Sequence, residues 1–171
     1  GDTRTAVGGA RRITGGARVR YALSSLTAIV IALTACSAGP RPLVVGEDAC
    51  RYCRMTIDDT RFGAMVRTAR GKLETFDSIE CLASYVTSLP ATERPSGIWV
   101  ANFERPTEWI AVTDAQFVHD GTLHSPMGRS FAAFAPTVPD STLTNTYGGE
   151  VMTWNSVLER VHADAFAPVH P

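Results

Sequence analysis

The feature that most limits what this chain can fold into lies at its front. Arg4, Arg11, Arg12, Arg18 and Arg20 precede an uncharged, largely apolar run over residues 21–35. That run has about the length of an export-signal core and falls short of the roughly 20 apolar residues that a bilayer-spanning helix needs. Residues 1–35 therefore read as a leader that is cleaved and takes no part in the core. Ser37, Ala38, Gly39, Pro40, Arg41 and Pro42 are poor core formers and read as a tether, so folding is expected to begin near Leu43.

The apolar run ends Leu33-Thr34-Ala35-Cys36, which resembles a bacterial lipobox. In such a motif the cysteine is lipidated on sulfur and becomes the new N-terminus. Cys36 is accordingly the expected lipidation site, residues 36–42 the lipidated end and tether, and the cell envelope, facing the extracytoplasmic side, the expected location. Without residues 1–35 the chain keeps 11 basic against 16 acidic residues, a net charge near −5. Nucleic acid is not an expected partner, because binding phosphate needs a basic face.

Turn signals and periodicity outline an α+β protein. Short strands are expected at 43–45, 62–69, 73–76 and 98–103, with a turn at Arg70-Gly71-Lys72. Between the last two, residues 77–89 read as a helix: Asp77 or Ser78 can cap it, Ile79, Leu82, Ala83 and Val86 recur at helical spacing, and Pro90 stops it. The second half repeats this order, with strands at 109–118, 129–135 and 150–154, a short helix at 139–147 ended by Gly148-Gly149, and a last amphipathic turn or two at 156–162. The expected organisation is two small related ββαβ units, 43–104 and 105–171.

Chemistry concentrates in Cys50-Arg51-Tyr52-Cys53-Arg54-Met55. Thiolate and thioether are soft donors, and a third sulfur two residues after a C-x-x-C lets all three converge if the chain turns around one point. Soft donors favour Cu(I). Zinc more often asks for a second ligand pair, and no further C-x-x-C or H-x-H follows. A redox dithiol and a plain disulfide remain open for this hexapeptide, although three thiols beside a lipidated Cys36 leave one unpaired. Met127 lies in the loop-like His124-Ser125-Pro126-Met127-Gly128, where a core role gains little. His119 and His124 flank the same turn, and either imidazole could complete a coordination shell. Met65, Met152 and Cys81 are expected in the core, Cys81 as a buried inert thiol. No nucleophile elbow and no phosphate-binding glycine loop outside the leader occurs, so an enzyme is not supported.

These residues resemble the NosL family, lipoproteins that accompany nitrous oxide reductase. The resemblance rests on Asp48-Ala49-Cys50-Arg51-Tyr52-Cys53-Arg54-Met55, on Phe76-Asp77-Ser78-Ile79-Glu80-Cys81-Leu82, on the run from Ser125-Pro126-Met127-Gly128 through Phe134, and on Tyr147-Gly148-Gly149-Glu150-Val151. The family often carries Gly directly before the methionine, where this chain has Arg54. The resemblance implies a Cu(I)-binding accessory protein of two ββαβ units that delivers copper to nitrous oxide reductase or another copper-accepting enzyme, through a membrane transporter complex in some settings. Its implied ligands here are Cys53, Met55 and Met127, with a histidine such as His124 or solvent contributing and Cys50 in reserve. The competing expectation is a thiol–disulfide module using Cys50 and Cys53.

Overall fold

The computed structural model describes residues 1–3 and 39–165, the last two as backbone alone. Residues up to Gly39 group apart from those that follow, and the fold below is that of the second group. The apolar run at 21–35 and Cys36 lie outside the described residues. Among the described residues no helix is long and apolar enough to cross a membrane.

In the first repeat, β1 (Ala64–Arg67) and β2 (Leu73–Phe76) form a hairpin whose turn closes through Thr68 N–H to Lys72 O at 2.9 Å, with Gly71 at φ 82°. Helix α1 (Ile79–Ser88) follows at once. Ser78 Oγ accepts the Cys81 N–H at 3.3 Å and caps the helix, and its first five residues are buried. Leu89 is the C-cap and Pro90 prevents continuation. The chain returns as β3 (Gly97–Asn102), antiparallel to β1 with Ala64 opposite Val100. A further strand, β4 (Arg105–Ala111), pairs with β3, giving a four-stranded sheet of order β2-β1-β3-β4 that extends to Ala111.

The second repeat runs β5 (Gln116–His119), β6 (Phe131–Phe134), α2 (Asp140–Tyr147) and β7 (Glu150–Met152), with sheet order β6-β5-β7. In both repeats the first strand lies in the middle, antiparallel to the second on one side and the third on the other. The two ββαβ repeats expected from sequence are thus present. Gly148 and Gly149, at φ 76° and 71°, turn the chain from α2 into β7. A Cβ at Gly149 would lie 2.1 Å from His119 O, so only glycine fits there. Helix α3 (Trp154–Ala165) closes the fold and is longer than the turn or two expected at 156–162.

Two expectations need correction. Residues 43–45 are not a strand. Asp48 takes the Val44 N–H on its carboxylate at 2.8 Å, and its own N–H bonds to Val44 O at 2.9 Å, which curls the segment into a turn. The single strand expected over 109–118 is two, because the Asp114 and Ala115 N–H groups both bond back to Ala111 O and end β4 there. Asp114, a turn former poorly suited to strands, marks the break in the sequence.

The repeats join through their cores. The Phe103 N–H bonds to Ala133 O at 2.8 Å and links the end of β3 to β6. Helix α1 packs on β1, β2 and β6 and against α3. Phe76, Leu82, Val100, Phe117, Phe131 and Val157 belong to one buried cluster, and Phe62, Val118, Phe134 and Leu143 to a second. Each fully buried phenylalanine contributes about 1.5–3 kcal/mol of transfer free energy. This packing fixes α1, whose N-terminus carries the chemistry.

Candidate metal centre

The C-x-x-C-x-M segment is a tight turn. The Cys50 N–H bonds to Met55 O at 2.8 Å, the Arg54 N–H to Cys50 O at 3.0 Å, and Ala49 bridges Thr56. Closing the turn puts Arg54 at φ 69°, in the left-handed region. This conformation explains why glycine suits the position, and shows that arginine adopts it too. Two bonds tie the turn to β2: the Arg51 N–H to Thr75 O at 2.8 Å, and the Thr75 hydroxyl to Ala49 O at 2.9 Å.

That docking sets the turn against the junction of β2 and α1. Cys50 and Cys53 come from the turn, Asp77 from the residue after β2, and Cys81 from the first turn of α1. Their three sulfurs and a carboxylate oxygen all lie within 4.8 Å of one another. All three cysteines are free thiols. Cys50, Cys81 and Asp77 are at most 2% exposed, whereas Cys53 is half-buried and opens the cluster to solvent. The Cys53 thiol donates to Asp77 Oδ2 at 3.4 Å, and the other oxygen of this buried carboxylate, Oδ1, has no partner.

The thiols titrate as a group. The Cys81 thiol donates to Cys50, which with backbone N–H groups outweighs burial and pulls Cys50 down to about 6. Donating raises Cys81, and burial adds to the rise. Burial pushes Cys53 up to about 11, reinforced by the neighbouring Cys50 and Asp77 charges.

Met127 reaches this region from the second repeat. It lines a cleft of about 220 Å³ together with Tyr52, Glu80, Cys81, Ser84 and Arg129. Its loop is pinned to α1 through Glu80, whose Oε1 accepts the Ser125 hydroxyl and, at 3.3 Å, the Arg129 N–H. Ser125 Oγ in turn accepts the Ser130 N–H at 2.9 Å. Burial raises the Glu80 pKa. Met55, at the end of the cysteine turn, and Met127 are both exposed, at 52% and 41%.

Of the expected donors, then, the fold brings Cys50 and Cys53 into one cluster and sets Met127 in a cleft shared with Cys81. His124 is exposed and joins no group of three or more His, Cys, Asp or Glu donors among the described residues. His119 is buried on β5, its ring 4.3 Å from that of Phe131 and its Nδ1 3.3 Å from Asp120. Asp77 and Cys81, which join the cluster, are not among the expected donors. Cys81 is buried as expected, but against the other thiols. A signal was available in their placement, one just before the cap and the other in the first helical turn, where the positive end of the helix favours anions.

The duplicated ββαβ fold thus carries a buried thiol–carboxylate cluster with an open edge, whose four donors could hold a metal ion. The sequence matches the family described as NosL over residues 43–162. The chain belongs to the NosL family. Among solved structures it is similar to the copper chaperone NosL from Shewanella denitrificans, with a TM-score of 0.58 and 18% identity over 69% of this chain and 95% of that one. At that identity the likeness establishes the fold. No curated protein matches the sequence.

Proposed function

We propose that this chain is a Cu(I) carrier, lipid-anchored through Cys36 on the extracytoplasmic side of a membrane. It would supply nitrous oxide reductase or another exported copper enzyme, with a membrane transporter complex as a second contact. The observation that supports this most directly is the position of Cys53, half-buried at the open edge of the thiol cluster and two residues from exposed Met55. Met127 faces the same region from a separate loop. Family membership and the copper chaperone of the same fold support the choice of metal.

In this reading Cys53, Met55 and Met127 hold Cu(I), and Cys50 is in reserve. Few-coordinate sulfur ligation suits an ion that favours soft donors, and exposed thioethers let a partner's ligand attack before the old bonds all break. Because Met127 and Cys53 come from different repeats, the ion ties the two together.

Anaerobic titration of the reduced protein with Cu(I) against a chromophoric chelator tests the proposal. One ion per chain with sub-micromolar affinity is expected, lost in Cys53→Ser and weakened at least about tenfold in Met127→Leu. Failure to retain copper against the chelator overturns it. Thiol–disulfide exchange is less well supported, because Cys50, the thiol with the lowered pKa, is 1% exposed and out of reach of a substrate disulfide.

A further inference from the structure

The sequence offered no second ligand pair for zinc, but the fold supplies one. Asp77 and Cys81 complete a four-donor set with Cys50 and Cys53. We propose that these four side chains form a second metal site, which takes a divalent ion of borderline softness, Zn(II), in a closed tetrahedral Cys3Asp shell.

Three observations carry this. The first is Asp77, which is 2% exposed with Oδ1 unpartnered. A buried carboxylate oxygen with no partner is costly, and a cation is the group that would relieve it. A carboxylate is a hard donor that adds little to Cu(I) but is an ordinary ligand for Zn(II). The second is geometry. Zn–S bonds of about 2.3 Å place tetrahedral sulfurs roughly 3.8 Å apart. Donor atoms already within 4.8 Å of one another need only side-chain adjustments of about an ångström to close on the ion. The third is electrostatic. Three thiolates and a carboxylate carry four negative charges, and a divalent ion offsets twice as many of them as a monovalent one. The capped N-terminus of the ten-residue α1, which bears Cys81 in its first turn, favours the remainder.

Binding moves protons and no electrons: thiols still protonated release H⁺ to buffer as the Zn–S bonds form. The site draws on the buried side chains of the cluster, whereas the proposed Cu(I) ligands Met55 and Met127 are exposed, Met127 in the cleft it shares with Cys81. Cys53 is common to both, so the two ions exclude each other. That exclusion rests on the copper reading; zinc binding itself does not.

The test uses the full chain in detergent, reduced and metal-free, titrated with Zn(II) against a chromophoric chelator and with Co(II) as a spectroscopic probe. Expected are one Zn(II) per chain and the intense ligand-field and thiolate charge-transfer bands of tetrahedral Co(II). Asp77→Asn should weaken Zn(II) at least about 100-fold, since loss of an outer-shell partner alone costs up to that much. The double variant M55L/M127L should leave Zn(II) affinity unchanged while weakening Cu(I). A weak six-coordinate cobalt spectrum in the unsubstituted protein overturns the proposal whatever the variants do, as does a folded Asp77→Asn protein with undiminished Zn(II) affinity. If Cu(I) is held and tetrahedral cobalt is not, the zinc site alone fails. If the reverse holds, the copper reading alone fails.

Discussion

Replacing Arg54 by glycine should stabilise the metal-free protein, and the size of the gain follows from one backbone angle. Arg54 sits at φ 69° with an exposed side chain, held there by the bond from its N–H to Cys50 O. A residue with a Cβ in this conformation costs about 1–2 kcal/mol relative to the right-handed one. Glycine removes that cost but adds conformational freedom to the unfolded chain, which returns about 0.5–1 kcal/mol. The net expectation is a gain of about 0.5–1 kcal/mol, or roughly 2–4 °C in Tm for a folded region of this size. Arg54→Ala is the control, since it truncates the side chain but keeps the Cβ, and should change stability by less than about 0.5 kcal/mol. Urea melts of the three proteins, with equal m-values, measure the difference. Loss of stability in Arg54→Gly would refute the reasoning, because it would mean that the arginine side chain contributes more than the turn costs it.

Three further outcomes are expected. Glu80→Leu leaves the Ser125 hydroxyl and the Arg129 N–H without their acceptor and should cost about 2–4 kcal/mol, with faster hydrogen exchange in the 125–130 loop. Gly149→Ala forces a Cβ to 2.1 Å from His119 O at a left-handed φ and should destabilise by more than about 2 kcal/mol, read from the urea midpoint. The hydrogen bond from Arg41 holds the Asp48 carboxyl below its ordinary pKa, with the Val44 N–H assisting. A depressed carboxylate adds stability above its unfolded pKa and loses it as pH falls through the folded one. Asp48→Asn should therefore cost about 1 kcal/mol or less at pH 7, since Arg41 is half-exposed, and flatten the decline in stability below about pH 4.

What the sequence discloses depends on whether its signals are local. Helix α1 was legible because Ser78, the Ile79/Leu82/Ala83/Val86 spacing and Pro90 mark its start, face and end within one short stretch of chain. The ββαβ repetition was legible for the same reason. The break at Ala111 was less so, because Asp114 alone, with no Gly or Pro beside it, marks the turn between two strands. The site divides likewise. Cys50 and Cys53 announce themselves by spacing, while Asp77 and Cys81 lie more than twenty residues away and join only because the Arg51 N–H and the Thr75 hydroxyl dock the turn on β2. Hydrogen bonds between distant backbone segments leave no trace in spacing. A cysteine on the apolar face of a helix looks inert until its neighbours across the fold are known.

The internal duplication has a consequence for how such a protein can change over time. Where the first repeat passes from strand to helix it carries the carboxylate, a serine cap and a cysteine. The matching passage in the second repeat begins α2 after Pro139 with no side-chain cap and no sulfur. The second copy instead spends its length between β5 and β6, on the long loop that bears Met127. One half is thus held fixed by its donors. Its twin is constrained instead at Ser125 and Met127, so substitutions should be tolerated best where it passes into α2 and least at the end of β2.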